Sequence, residues 1–412
     1  MARVLVVLLL ASLPLIAQEQ RVAAPHIVVL LADDLGFGDV GFHGSAISTP
    51  HIDALASRGV RLEQFYAQPV CSPTRGALLT GRYPIRLGLQ VGVVRPWAEH
   101  GLPLEERTLA NTLGECGYAT AICGKWHLGH ATRDQLPTRR GFDHQYGHYN
   151  GALDYFTHVR DGGFDWHEDD KVNHDEGYTT DLIADKAIAI LAGHDPARPL
   201  FLYVPFNAPH SPMEAPKEWI EEYAQIEDRQ RRTYAAMVAC LDAAVGRILA
   251  ALDEHGYARD KTLVLFLSDN GGIVRFGSNG PLRGEKGQVE TRRFWQWNRY
   301  TPVGTCNAAT RDGDWKLVRP VINEAMAVPD GQWLRVSMYE PEHFIEHGII
   351  RDPDPPRDVP PPPPAELYHI TEDPLEQRNL ASEHPDVARR LLRELETWFE
   401  EVDAERRTIA DG

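Results

Sequence analysis

Four stretches of this chain share one design: a continuous apolar run of strand length that stops abruptly at residues able to do chemistry. Ile27-Val28-Val29-Leu30-Leu31 ends in Asp33-Asp34, and Ala119-Thr120-Ala121-Ile122-Cys123 ends in Gly124-Lys125-Trp126-His127. Leu200-Phe201-Leu202-Tyr203-Val204 ends in Asn207-Ala208-Pro209-His210, and Leu263-Val264-Leu265-Phe266-Leu267 ends in Asp269-Asn270-Gly271-Gly272. Unbroken apolar runs, unlike alternating ones, belong to strands covered on both faces, which implies an α/β architecture with a mostly parallel sheet. Helical signals lie between the runs: Thr49-Pro50 to Gly59 offers an N-cap, a proline at the first helical position and a glycine stop. Ligands of such sheets bind beyond the carboxyl ends of the strands, so the four polar clusters are expected to converge on one site.

Taken singly, each cluster is also good turn or cap chemistry. Together, the three carboxylates of Asp33, Asp34 and Asp269 and the amide oxygen of Asn270 form a hard, all-oxygen set suited to Ca²⁺ or Mg²⁺. The lack of clustered cysteine and histidine ligands disfavours zinc. The chain is long enough, at 412 residues, for two domains, and its 43% hydrophobic content can fill a large core. A formal charge of −17 argues against a nucleic-acid or anionic-membrane surface, so an anionic substrate would need a local pocket of positive charge. Five cysteines, at 71, 116, 123, 240 and 306, are too few and too scattered for a disulfide scaffold, and the odd count leaves a thiol unpaired.

The N-terminus has the pattern of a secretory signal peptide over residues 1–17: Arg3, an apolar run from Val4 to Ile16, then Ala17 before polar residues. That run is shorter than the ~20 residues a bilayer core requires. Export to the periplasm or exterior, or to the lysosomal or secretory route in a eukaryote, is therefore expected. No later stretch reads as long and apolar enough to span a membrane.

Between the first two runs, Cys71-Ser72-Pro73-Thr74-Arg75 begins a helix that Gly81 should stop, with Ser72 as N-cap and Pro73 in the first turn. Cys71 would then stand at a helix N-terminus with Arg75 one turn along, a setting that lowers a thiol pKa. A capped helix with an incidental cysteine would carry the same residues.

Cys71-Ser72-Pro73-Thr74-Arg75 resembles the Cys-x-Pro-x-Arg signature of the type I sulfatases, whose cysteine is oxidised to Cα-formylglycine. Gly117 to Gly129 resembles the second signature of that family, with Cys123 where a small or β-branched residue is usual. Asp33-Asp34-Leu35-Gly36, Pro209-His210, Asp269-Asn270-Gly271-Gly272 and Pro281 to Lys286 match further blocks in order. Asp312 to Leu317 and Glu366 to Leu380 are similar to the family's C-terminal domain. Gly81 to Gln90 and Leu136 to Asp143 are most similar to the arylsulfatase B group, which acts on N-acetylgalactosamine 4-sulfate.

The resemblance implies the alkaline-phosphatase-like sulfatase fold, a large mostly parallel sheet flanked by helices, with a smaller C-terminal α+β domain. It implies one Ca²⁺ held by Asp33, Asp34, Asp269 and Asn270 together with formylglycine at position 71, made by a formylglycine-generating enzyme. It further implies that the aldehyde hydrate attacks sulfur, that one hydroxyl carries the sulfate, and that the other re-forms the aldehyde by expelling it. Arg75 and Lys125 would hold the hydrate, His127 would take the proton that drives elimination, and His210 with Lys286 would bind sulfate and protonate the leaving alkoxide. The substrate would be a sulfated small molecule or glycan. The same chemistry serves phosphonate or phosphate monoester hydrolases, and an inactive sulfated-glycan-binding relic is a third outcome.

The chain departs from the family pattern after Lys286: Glu290 runs directly into Thr291-Arg292-Arg293-Phe294-Trp295-Gln296-Trp297, where a further strand and a helical stretch are usual. A catalytic domain over 24–295, contracted after Glu290, and a smaller domain over 300–412 are expected. In the latter, Ala309 to Val318 reads as a strand, Glu383 to Glu401 as an amphipathic helix, and 352–364 as a stiff proline-rich loop.

Overall fold

The structure, a computed structural model, describes residues 24–409 apart from 64, 91, 283–285, 288–293, 299, 327–345 and 348–356. The expected leader at 1–17, the contraction point Glu290 and residues 352–356 of the proline-rich loop lie outside the described residues. In chain order the first strands are β1 (His26–Ala32), β2 (Ala119–Cys123), β3 (His144–Gly147), β4 (Val159–Arg160), β5 (Gly163–Phe164), β6 (His167–Glu168), β7 (Lys171–Val172), β8 (Leu200–Pro205) and β9 (Thr262–Ser268). All four apolar runs are thus strands. Seven of the nine form one sheet in the order β7-β6-β3-β2-β8-β1-β9, parallel from β3 to β9, with the β6–β7 hairpin antiparallel at one end.

Period-two geometry explains why those runs are apolar throughout. On one face Val28, Leu30, Leu202 and Val204 pack on α1 (Pro50–Arg58), α4 (Thr179–Gly193) and α6 (Arg229–Glu254) through Ile52, Ile183, Val238, Leu241 and Val245. On the other, Val29, Leu31, Ile122, Phe201 and Tyr203 pack on α2 (Cys71–Thr80) and α3 (Leu109–Glu115) through Leu79 and Ala110, and on Trp97 and Trp126. Contrary to expectation, one later segment, α6, is long and apolar enough to cross a membrane. Of its most apolar stretch 78% is buried in the protein, because α6 packs on the sheet and on α1, α4 and α5 (Lys217–Glu222). Asp242 of α6 also caps α1, accepting from the main-chain N–H groups of His51 (3.1 Å) and Ile52 (2.8 Å).

The C-terminal part builds a second, antiparallel sheet in the order β10 (Phe294–Gln296), β11 (Ala308–Asp312), β12 (Trp315–Arg319) and β13 (Glu366–His369). The single strand expected over Ala309 to Val318 is a hairpin instead: Gly313, at φ +58°, reverses the chain, and Asp312 pairs with Trp315. A short α7 (Asn323–Met326) follows, and residues 357–364 run without regular structure. The closing helix α8 (Pro385–Arg406) lays Leu391, Leu395, Trp398 and Val402 on Ala308, Leu317 and Leu367, and also covers Ile85, which follows α2. That contact ties the two sheets together.

Candidate active site

The strand order β2-β8-β1-β9 aligns the carboxyl ends of all four apolar runs. Hydrogen bonding continues past the last paired residues: Asp33 N–H donates to Ala208 O (3.0 Å) and Asp269 N–H to Ala32 O (2.9 Å). Asp34 then takes a left-handed conformation (φ +64°), as does His127 (φ +59°), so the chain turns sharply where the polar side chains begin. Asp33, Asp34 and Asp269 have no solvent exposure, and neither do Arg75 and Lys125.

Buried charges must be paired, and here they are paired across the whole sequence. The Arg75 guanidinium bonds Asp33 Oδ2 (3.2 Å), Asp269 Oδ2 (2.9 Å) and the Lys125 carbonyl (2.9 Å). Lys125 Nζ also reaches Asp33 Oδ2. Lys286 Nζ bonds both oxygens of Asp34 (2.6 and 2.8 Å), and His210 Nε2 lies 3.6 Å from Asp34 Oδ2. Burial by itself would raise the Asp33 pKa, but Lys125, His210, Arg75 and Lys286 outweigh it and hold the carboxyl well below the usual range. Asp269 goes the other way, pushed up to about 6 by burial and by Asp33 beside it.

Cys71 is the first residue of α2 and sits at the centre of this cluster. Its Sγ lies 3.5 Å from Asp33 Oδ1 and 3.6 Å from Lys286 Nζ. Two expectations about this helix are corrected. The N-cap is Val70, not Ser72, whose hydroxyl instead donates to His127 O (2.8 Å) and accepts from Val94 N–H (3.1 Å). Nor is the thiol acidic: burial, and then Asp33, push its pKa up to about 12, which outweighs the helix terminus and the nearby lysines. Unmodified Cys71 is therefore a poor thiolate.

His127 Nε2 must donate to its partner, the Val94 carbonyl (2.9 Å), which leaves Nδ1 as the acceptor, buried and without a partner. Burial, with Lys125 and Arg75 adding positive charge, holds this imidazole neutral. His210 Nδ1 likewise donates, to Ser211 O (2.6 Å), while burial and Lys286 push its pKa down to about 4. Asn270 gives its Nδ2 to Asp34 Oδ1 (2.6 Å), and its Oδ1 is buried without a partner. Three buried carboxylates and an orphan amide oxygen fit a hard divalent cation. Ligand atoms of Asp33, Asp34, Cys71 and His210 lie within 4.8 Å of one another, so His210 also stands at that position.

Above the cluster opens a cavity of about 600 Å³ with Cys71, His127, His210 and Lys286 in its lining. Arg95, Arg160 and Trp297 contribute to its walls. These wall residues carried no sequence signal, because none belongs to the end of an apolar run or to a catalytic motif, and Ser72, inside the signature, was expected only as a helix cap. Thr74 was also missed: its hydroxyl donates to Asp269 O (2.5 Å) and fixes the end of β9 against α2.

Every residue of this cluster falls inside residues 25–294, which match the Sulfatase family model. The chain belongs to the sulfatase family. Arylsulfatase J of Mus musculus is 46% identical over 272 residues, covering 64% of this chain and 45% of that protein. N-acetylgalactosamine-6-sulfatase of Homo sapiens is 34% identical over 285 residues, covering 63% and 53%. The chain thus spans about half the length of the curated relatives it matches. Among solved structures, Ps i-CgsB in complex with k-i-k-neocarrahexaose superposes with a TM-score of 0.74 at 26% identity, over 91% of this chain and 92% of that one. The fold is accordingly the alkaline-phosphatase-like sulfatase fold expected from the resemblance.

Proposed function

We propose that this chain hydrolyses sulfate esters, with formylglycine made from Cys71 as its nucleophile and one Ca²⁺ at Asp33, Asp34, Asp269 and Asn270. The observation that carries this is the position of Cys71: its Sγ is within 3.6 Å of both a carboxylate and a lysine, at a cavity shared with two histidines. A thiol with a pKa near 12 serves poorly as a nucleophile, so conversion to the aldehyde hydrate, which supplies the attacking oxygen, accounts for a cysteine in this setting. The calcium ion would supply Lewis-acid charge withdrawal at a sulfate oxygen.

The remaining chemistry belongs to the chain's own side chains. Lys125 and Arg75, fixed on Asp33 and Asp269, hold the nucleophilic oxygen and stabilise charge that develops on it. His127, neutral and with Nδ1 free to accept, would take the proton of the second hydroxyl, so that the aldehyde re-forms as the C–O bond to sulfate breaks. Lys286 and His210, both beside Asp34, bind the sulfate, and Lys286 gives the proton to the departing alkoxide. Arg75, Lys125 and Lys286 are the local positive pocket through which a chain of net charge −17 binds an anion.

For the substrate we infer a sulfated N-acetylgalactosamine, 4-sulfated, within or at the end of a glycan. The Gly81 to Gln90 and Leu136 to Asp143 stretches support the sugar and its 4-position, and a relative named N-acetylgalactosamine-6-sulfatase supports the sugar alone. The protein would be exported and matured by a formylglycine-generating enzyme. The test combines peptide mass spectrometry across Cys71 with parallel assays of aryl sulfate, aryl phosphate and defined sulfated oligosaccharides. An active preparation with an intact thiol, or a preference for phosphate, refutes the reaction. No gain in kcat/KM for 4-sulfated over 6-sulfated N-acetylgalactosamine refutes the substrate alone.

A further inference from the structure

The two edges of the large sheet are unlike. β7, at one edge, is two residues long, carries Lys171 and is reached through a turn at Asp169 and Asp170, features that blunt an edge against pairing. β9, at the other, is seven residues, Thr262-Leu263-Val264-Leu265-Phe266-Leu267-Ser268, with no charge and no proline. Among the described residues no strand pairs with its outer side. The bond from Asp269 N–H to Ala32 O fixes which groups are open: odd-numbered residues turn their main-chain groups toward β1, so Thr262, Val264, Phe266 and Ser268 present theirs outward.

The side chains at this edge are apolar and uncovered. Leu263 is 48% exposed and Leu265 38%, and β9 borders a groove of about 550 Å³ that Val60, Leu62, Phe65 and Leu282 also line. Those four are 87%, 62%, 53% and 39% exposed.

We propose that β9 pairs antiparallel with β9 of a second copy of this chain, about a two-fold axis at Leu265. In that register the outward-facing residues match each other, Val264 with Phe266 and Thr262 with Ser268 of the other copy, so every open main-chain group gains a partner. On the other face Leu265 meets its own copy and Leu263 meets Leu267. Apolar side chains therefore oppose apolar ones and the hydroxyl residues oppose each other, a self-complementarity that a two-fold contact requires. The exposed parts of the six side chains amount to about three whole side chains, so covering them would remove roughly 450–750 Å² per copy, taking about 150–250 Å² for each large side chain buried. That is most of the ~800 Å² per partner that a stable interface buries. The pairing uses the open edge once in each copy and so closes as a dimer, which keeps a long apolar edge from templating larger assemblies. It does not depend on the reaction.

The test is light scattering of the purified full chain together with cysteine cross-linking in a Cys116→Ser background, since Cys116 is the exposed native thiol. The chain should have the mass of a dimer, and Leu265→Lys should give a monomer by placing two ammonium groups face to face. Residue 265 opposes itself in a non-hydrogen-bonded pair, so Leu265→Cys should form a disulfide-linked dimer under mild oxidation, whereas Leu263→Cys should not. The cysteine variants are conservative and keep the test valid if the lysine variant misfolds. A monomeric parent chain, a dimer that survives Leu265→Lys, or equal cross-linking at 263 and 265 overturns the proposal.

Discussion

Ser72→Ala isolates one strut of the site. Its hydroxyl is fully buried, donates to the His127 carbonyl at 2.8 Å and accepts from the Val94 N–H at 3.1 Å. Val94 in turn offers its carbonyl to His127 Nε2 at 2.9 Å, so Ser72 closes a loop of three bonds around the imidazole. Alanine leaves one buried carbonyl and one buried N–H unpaired, at about 1–3 kcal/mol each, for a loss of about 2–6 kcal/mol. With about 2–4 °C per kcal/mol in a domain this size, the midpoint of thermal unfolding should fall by roughly 4–24 °C. Turnover should fall as well, by about 10- to 100-fold, because His127 loses one contact directly and Val94, which holds its Nε2, loses another, and a shift near 1 Å is worth about 100-fold. The residue after the cysteine is variable in the Cys-x-Pro-x-Arg signature, so conversion of Cys71 should be unchanged by mass spectrometry. The assays are a thermal melt by circular dichroism and aryl sulfate kinetics on protein of equal Cys71 conversion. If the variant melts within about 1 °C of the parent and keeps its kcat, the strut does not hold His127, since a substitution away from any such feature stays within about 0.5 kcal/mol.

Other expectations follow from the same geometry. Cys71→Ala should abolish turnover while leaving the thermal midpoint within a few degrees, and residual activity above background would remove position 71 from the reaction. Exhaustive chelation should abolish activity and lower the melting temperature, with Ca²⁺ restoring both; Asp269→Ala should lose the Ca²⁺-induced shift, and stoichiometric zinc in the active protein would refute the assignment. His148 is fully buried and stacked on Trp166, and burial, with a lesser push from Lys125 and Arg75, lowers its pKa to about 3. Below pH ~6.5 the unfolded chain binds a proton that the folded chain refuses, so stability should fall with pH, by about 2 kcal/mol at pH 5 from this residue. His148→Gln should flatten the melting-temperature profile between pH 7 and pH 5, and an unchanged slope would show that His148 takes up its proton in the folded state.

The apolar runs by themselves determined the four strands that carry the site. β1, β2 and β8 are buried on both faces, which requires apolar residues along the run, whereas β9, expected to be covered likewise, leaves Leu263 and Leu265 exposed because it is the edge strand. The abrupt change to polar residues after each run likewise marked Asp33, Lys125, His210 and Asp269 as one cluster, since ligands of parallel sheets gather at those ends. Resemblance of the Cys71 to Arg75 stretch pointed to Cys71 as the reacting group proposed above. Tertiary structure alone decided the rest. The hairpin within Ala309 to Val318 is an exception, since the Asp312-Gly313 pair that reverses the chain is itself a local turn signal. The open edge at β9 followed from which strands pair, since a run of apolar residues looks the same in the middle of a sheet as at its margin. The acidity of Cys71 could not be read from its helix terminus: Asp33, 38 positions earlier, and the depth of burial outweigh the local dipole. Ser72 bonds His127, 55 positions away, and Arg75 bonds Asp269, 194 positions away. Hydrophobic periodicity is a short-range signal, whereas Coulomb interactions in a buried site sum over whatever the fold brings within a few ångströms.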